Sequence, residues 1–323
     1  MASVSSATAP GQPSDVWLPV PPDEIDGLPE GFTYHFWDGA EDFPADPARC
    51  GFYVVPYMKG PRVAVAPLHA MTGVRVVQTL TAGIDHVAGA VPDLPAGTVL
   101  CNARGVHDAS TAELALTLTL ASLRGVPDFV RAQSSGAWLQ GIRPALADRT
   151  VLIVGYGAIG SAVEDRLVPF EPAEVLRVAR TARTTERGAV HALDDMAELL
   201  PRADVVILCT PLTEQTRGLV GAGFLARMRD GALLVNVARG AVVDTAALLP
   251  EVESGRLQAA LDVTDPEPLP PEHPLWRAPG VLISPHVGGP TTAFLPRAKR
   301  LLRAQLGRWA RGAELEHVVA TAG

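Results

Sequence analysis

Val151-Leu152-Ile153-Val154-Gly155-Tyr156-Gly157-Ala158-Ile159-Gly160 decides the fold of this chain. A short Val/Ile/Leu run breaks into glycines and then takes up helical spacing from Ile159 to Val168. The run reads as a strand, the glycines as a tight turn, and the rest as an opening helix. Gly155 permits the turn, Gly157 lets the backbone approach a pyrophosphate, and Gly160 lets the helix pack close to the strand. The N-terminus of that helix then faces the phosphates with unpaired N–H groups. Alone, this glycine spacing is weak. With a strand before it, a helix after it and a second strand at Glu174 to Val178, it predicts a dinucleotide site.

Working outward, strands and helices alternate at βαβ spacing after Arg149. A short helix is expected over Asp194 to Leu200 and a strand over Asp204 to Cys209. Continuous Val/Ile/Leu strands imply a parallel sheet covered on both faces, so the class is α/β and doubly wound. Upstream, Thr111 to Ala121 reads as a long, mostly apolar helix capped by Asp108 or Ser110. From about Trp17 to Leu100 short apolar runs alternate with Pro/Gly turns; Phe52 to Val55 and Val74 to Thr79 look like strands. Ala40 to Ala48 carries few periodic apolar residues, and helices there are hard to place. An amphipathic helix from about Ala293 to Arg311 ends the pattern.

The 323 residues are 47% hydrophobic and 19% charged, the composition of a soluble globular protein with ample core. A net charge of -8 argues against a general nucleic-acid or anionic-membrane binder. The Arg-rich stretch from Arg297 to Arg311 alternates with Leu and Trp and reads as a solvated helix face rather than a nucleic-acid patch. The three cysteines, Cys50, Cys101 and Cys209, are widely spaced and form no CxxC pair. They read as reduced core thiols of a cytoplasmic protein. Met1 to Asp15 has no basic residue and no apolar h-region; residues 1–13 are expected to be a flexible tail. The longest apolar stretches are too short to span a bilayer. No metal site is expected.

The end of the second strand bears on which dinucleotide binds. An NAD enzyme usually places Asp or Glu there to accept from the ribose 2′-OH. Here Arg177-Val178-Ala179-Arg180-Thr181-Ala182-Arg183 has no carboxylate until Glu186. Arg180, with Thr181 and Arg183 beside it, suits a 2′-phosphate through charge-assisted bonds. NADP is therefore expected before NAD.

Three later stretches share one design. Leu234 to Gly240, Leu261 to Pro268 and Ile283 to Gly289 are each an apolar run that breaks into turn residues. Arg239, Glu267 and His286 lie just past the breaks. If the strands are parallel neighbours, all three side chains collect at the carboxyl edge of one sheet, where open α/β sheets bind ligands. A guanidinium grips a carboxylate in a planar fork and keeps its charge. A Glu hydrogen-bonded to a His favours imidazolium, the form a general acid needs. Gly240 is expected to supply unusual backbone dihedrals at the Arg239 exit. Asp265 competes with Glu267 for the acidic role, and composition alone does not choose between them.

Taken together, Thr81-Ala82-Gly83-Ile84-Asp85, Thr111-Ala112-Glu113, Gly155 to Gly160, Thr210-Pro211-Leu212-Thr213, Ala238-Arg239-Gly240, Asp262-Val263 with Glu267-Pro268, and Pro285-His286 resemble the D-isomer-specific 2-hydroxyacid dehydrogenases. The resemblance runs from roughly Val76 to Val319 and leans toward the glyoxylate/hydroxypyruvate reductase branch. It implies an oxidoreductase that moves a hydride between NAD(P)H and a small 2-oxo acid to give a D-2-hydroxy acid. It implies that Arg239 clamps the substrate, Glu267 supports His286, and His286 protonates the ketone oxygen. Ala82 and Gly83 fall where the family offers backbone N–H groups to the substrate carboxylate, and Tyr57 and Met58 should line the substrate side. On the cofactor side fall Thr111, Tyr156, Ala158, Ile159, Cys209, Thr210, Pro211, Thr216, Val237, Ala238, Asp262, His286 and Gly288.

The family architecture is two Rossmann-like parallel-sheet domains with a cleft between them, usually as a homodimer. The substrate domain would be split over 14–102 and 288–323, and the dinucleotide domain would span 103–287. Formate-oxidising relatives carry Gln where this chain has Glu267, and phosphite-oxidising ones Lys where it has Ala82. The competing reading of another class is a nucleotide-sensing binding protein on the same fold, which binds NADPH without turnover.

Overall fold

The computed structural model describes residues 14–323, and the tail expected at 1–13 lies outside them. The chain divides into two units. One runs to His107 and resumes over Thr292–Gly323; the other is Asp108–Thr291. The crossings thus fall a few residues after the expected 102/103 and 287/288, at the start of a long helix and just past Gly288-Gly289-Pro290.

The first unit holds β1 (Asp15–Leu18), β2 (Thr33–Phe36), β3 (Cys50–Val54), β4 (Val76–Gln78) and β5 (Val99–Cys101). The spatial order is β5-β4-β3-β1-β2, all parallel, and the closing strand Val318–Thr321 adds antiparallel to β5. Alternate residues enter opposite layers, as the two-residue strand period requires. Val16, Leu18, Phe52 and Val54 pack with Leu302 and Leu306 of the C-terminal helix Phe294–Ala310. Trp17, Tyr53 and Val55 pack with Trp37 and Met71 on the other face. Within that helix the buried Gln305 amide donates to Gln78 Oε1 at 2.9 Å and to the Glu316 carbonyl at 2.8 Å, which fixes the helix to the sheet. Over Ala40 to Ala48 no regular helix forms apart from the start of the short 3-10 turn Pro47–Arg49.

The second unit begins with the helix Asp108–Arg124, which takes both expected capping residues into its first turn. Its strands are β6 (Thr150–Val154), β7 (Glu174–Val178), β8 (Arg183–Thr185), β9 (Gly188–Val190), β10 (Val205–Leu208), β11 (Leu233–Asn236), β12 (Gln258–Leu261) and β13 (Val281–Ile283). Six of them form a parallel sheet in the order β13-β12-β11-β10-β6-β7, while β8 and β9 make a separate hairpin. Leu152 and Val154 face one core, Val151 and Ile153 the other. Burial on both faces is why these strands read as unbroken apolar runs. The chain goes from β6 outward to β7 and then crosses back to β10. The junction of β6 and β10 is therefore the switch point at which open α/β sheets bind ligands.

Among the described residues, no helix is long and apolar enough to cross a membrane, and no group of three or more His, Cys, Asp or Glu is placed to hold a metal ion. All three cysteines are free. Burial pushes the Cys101 thiol up to about 11 and Cys209 up to about 12, so both are thiols at neutral pH.

Candidate active site

The glycine turn closes at the switch point. Gly155, with φ +100°, lies so close to the exit of β10 that a Cβ would stand 2.5 Å from the Thr210 nitrogen. Gly160 is equally confined, since its Cβ would meet the Gly155 oxygen at 2.6 Å. Around Gly157 a Cβ would meet nothing within 4 Å, so the turn is open where a pyrophosphate would approach. The Gly155 and Tyr156 N–H groups both donate to the Val178 carbonyl, at 2.9 and 2.8 Å, and tie the turn to the end of β7. Ala158 and Ile159 open the helix Ala158–Leu167.

Beside the turn run Cys209, Thr210 and Pro211. Thr216 holds this loop by donating to the Pro211 carbonyl at 2.6 Å. The Thr210 hydroxyl is buried with no hydrogen-bond partner among the described residues. Such a group calls for a ligand or water, and together with the open glycine turn it fits a dinucleotide. Past β7, Arg180 is exposed and has no partner among the described residues; Thr181 is exposed too. Arg183 donates through Nη2 to the Tyr156 carbonyl at 2.5 Å.

β11, β12 and β13 are parallel neighbours, so their exits share one edge. Asn236, fully buried at the end of β11, shapes the first exit: it accepts from the Ala238 N–H and donates to the Arg239 carbonyl, both at 3.0 Å. Val237 and Ala238 are buried, and Arg239 is half-buried with Nη1 on the Ala238 carbonyl at 2.8 Å. Gly240 differs from expectation. Its φ is not in the left-handed region; a Cβ there would sit 1.8 Å from the Thr264 oxygen, so a close approach of the β11 and β12 exits demands glycine. Gly240→Ala is expected to lower stability by about 1–3 kcal/mol and to displace Arg239. Thermal unfolding and kcat/KM measured together check this; a wild-type Tm would contradict it.

His286 adopts φ +54°, a left-handed backbone that is unfavourable for any residue with a Cβ. Its neighbours impose it. The His286 N–H donates to the Asp262 carbonyl at 2.8 Å, and the Asp262 carboxylate accepts from Ser284 Oγ at 2.6 Å and from the Val287 and Gly288 N–H groups at 2.9 Å each. Thr111 closes the far side, its hydroxyl 3.3 Å from the Gly288 carbonyl. Nδ1 of the His286 ring meets Glu267 Oε1 at 2.6 Å. Geometry thus pairs the imidazole with the carboxylate of Glu267, the choice that composition leaves open. Sequence reasoning missed Asn236, Ser284 and the saturation of the Asp262 carboxylate. An Asn at the last position of an apolar strand was the one available signal.

The first unit carries its own set. Ala82 and Gly83 lie half-buried in the bend after β4. Asn102 donates to the Ala82 carbonyl at 2.8 Å and Thr81 to the Gly83 carbonyl at 2.7 Å, which sets the direction of the bend. Tyr57 stacks on Phe294 with centroids 4.0 Å apart, and Met58, with φ +59°, is 53% exposed.

Residues 116–288 match the model of the D-isomer specific 2-hydroxyacid dehydrogenase NAD-binding domain. A glyoxylate reductase/hydroxypyruvate reductase of Mus musculus is 36% identical over 230 residues, covering 69% of this chain and 70% of that protein. A glyoxylate/hydroxypyruvate reductase B of Salmonella schwarzengrund is 35% identical over 234 residues, with 70% and 72% covered. Among solved structures, the D-isomer specific 2-hydroxyacid dehydrogenase of Xanthobacter autotrophicus Py2, in complex with NADPH and MES, superposes with a TM-score of 0.79 at 28% identity, covering 96% of this chain and 98% of that one. The fold, two α/β units each built on a sheet, agrees with this structure. The chain is an NAD(P)-dependent enzyme of the D-isomer specific 2-hydroxyacid dehydrogenase family.

Proposed function

We propose that this enzyme is an NADPH-preferring reductase of small 2-oxo acids, with glyoxylate and hydroxypyruvate as its first substrates to test. The observation that carries the reaction is the His286–Glu267 contact at 2.6 Å, which joins the exits of β13 and β12, with Arg239 at the exit of β11 next to them. A reduced dinucleotide, held at its pyrophosphate by the Gly155–Gly160 turn, would supply the hydride. His286 delivers the proton to the ketone oxygen through Nε2, because Nδ1 is held by Glu267. Glu267 fixes the ring orientation and gives the imidazolium a counter-charge. Arg239 grips the 2-oxo carboxylate in its planar fork, and the Ala82–Gly83 bend of the first unit offers backbone N–H donors suited to an anion. One hydride and one proton convert the carbonyl to a secondary alcohol, or glyoxylate's aldehyde to a primary one.

The cofactor preference rests on Arg180, an uncommitted cation where an NAD enzyme needs a carboxylate. Arg180→Ala is expected to weaken NADPH by about 10- to 100-fold, the size of a lost charge-assisted bond, and NADH by less than about twofold. Calorimetric Kd values for the two cofactors check this; equal losses would remove the 2′-phosphate from the account.

We also propose that the enzyme works as a homodimer in the cytoplasm. Phe129, Val130, Trp138, Leu139 and Ile142 are all exposed, with Trp138 at 91%, and an apolar surface of that kind favours a second copy of the chain. Buried free thiols suit a reducing compartment.

A further inference from the structure

Beside the glycine turn, between β7 and the β8–β9 hairpin, lie four arginines. Two carboxylates from the helix Ala158–Leu167 stand among them. Glu164, 3% exposed, accepts from the Tyr156 hydroxyl, from Arg177 Nε at 2.9 Å, and from Arg177 Nη2 on its other oxygen. Burial alone would raise the Glu164 carboxyl. The bonds from Arg177 and Tyr156 and the charges of Arg177 and Arg187 outweigh it and hold Glu164 below the usual carboxylate range, so it is an anion at neutral pH. Arg187, in the turn of the hairpin, donates to the Ser161 carbonyl at 3.1 Å, reaches Asp165 Oδ1 at 2.5 Å, and lies 3.8 Å from Glu164 Oε2. At the root of the hairpin, Arg183 donates to the Tyr156 carbonyl. The hairpin is therefore fastened twice: at its tip to the helix, at its root to the glycine turn. Of the four cations, Arg177 and Arg187 are committed to carboxylates, and Arg180 and Arg183 are not.

We infer that Glu164 and Asp165 strengthen binding of a 2′-phosphate, despite carrying the wrong charge to meet one, by fastening the β8–β9 hairpin so that Arg183 is presented beside Arg180. They act as positioning residues, and the inference rests on the NADP reading above. Two effects oppose each other. Through the field, a carboxylate near a phosphate repels it, and salt screens that repulsion. Ordering the hairpin beforehand works the other way, since an arginine on a loose strand loses backbone and rotamer freedom when it binds.

The sign of one substitution separates the two. Asp165→Asn removes a negative charge, so the field alone predicts tighter binding of a 2′-phosphate, whereas fastening predicts weaker binding. The probes are adenosine 2′,5′-bisphosphate and adenosine 5′-monophosphate, which differ only in the 2′-phosphate, titrated calorimetrically into the full chain. Asp165→Asn is expected to weaken the bisphosphate about two- to fivefold, the range of an exposed ion pair, and to leave the monophosphate unchanged. Glu164→Gln, which keeps the shape of the side chain, is expected to weaken the bisphosphate about tenfold. Amide exchange over residues 183–190 should quicken in both variants.

Unchanged or tighter bisphosphate binding in Asp165→Asn overturns the inference. So does an equal loss for both nucleotides, which marks a purely structural role. Asp165 is 55% exposed, so its variant decides the matter even if Glu164→Gln fails to fold. Equal affinities in the unsubstituted protein overturn the 2′-phosphate reading itself, a failure visible before any variant is made.

Discussion

His286→Ala is expected to lower kcat by about 10²- to 10⁴-fold, the usual worth of a positioned general acid, while the Kd for NADPH stays within about twofold. Hydride arriving at the carbonyl carbon builds negative charge on the oxygen, and without a donor that charge must be carried until water supplies a proton. In the proposed reaction the His286 imidazole delivers one. Its backbone is held in an unfavourable left-handed turn by hydrogen bonds to Asp262, and its Nδ1 is taken by Glu267 at 2.6 Å. Strain kept by surrounding bonds rather than relieved is a mark of a functional position. Alanine relaxes that turn only slightly, so loss of turnover should come without loss of fold. Stopped-flow hydride transfer and equilibrium NADPH binding report the two quantities separately. Near-normal turnover would remove His286 from the chemistry.

Arg239→Lys is expected to lower kcat/KM for a 2-oxo acid by about 10- to 100-fold, although the charge is kept. Lysine presents a point charge on a flexible stem and cannot form the two parallel bonds of a guanidinium to a carboxylate. Losing one charge-assisted bond of the pair accounts for the size of the effect. The side chain also donates to the Ala238 carbonyl, a bond that helps hold its direction. Pyruvate or glyoxylate saturation curves with the variant check this. A KM within twofold of the unsubstituted enzyme would show that Arg239 does not bear the carboxylate.

The legible part of the fold is the part buried on both sides. β6 and β10 announce themselves because their Val, Leu and Ile side chains are buried on both faces, and the glycine turn follows because its packing tolerates nothing larger at Gly155 and Gly160. Where an element is short, at an edge or exposed, the pattern fades. The Arg183–Thr185 and Gly188–Val190 hairpin is three residues a side and mostly exposed, so its pairing has no hydrophobic signature. The closing strand Val318–Thr321 is exposed at its first two valines and lies past the helix over Ala293 to Arg311, where the sequence pattern ends. Within the site, the types Arg, Glu and His and their place after apolar runs were readable. Composition alone did not choose Glu267 over Asp265, because loop geometry sets which carboxylate reaches the ring; the family resemblance supplied that choice. The reason for Gly240 also lay beyond the local sequence, since the atom it avoids belongs to Thr264, on the next strand's exit.

The most direct test of the central claim is the loss of NADPH absorbance, with NADH in parallel, when purified protein meets a panel of 2-oxo acids from glyoxylate and hydroxypyruvate through pyruvate to branched and aryl analogues. The account predicts turnover with the small acids, NADPH preferred over NADH, and a D-2-hydroxy acid as product wherever the new centre is chiral. Tight NADPH binding with no turnover on any acid would contradict it and leave a nucleotide-sensing protein in its place.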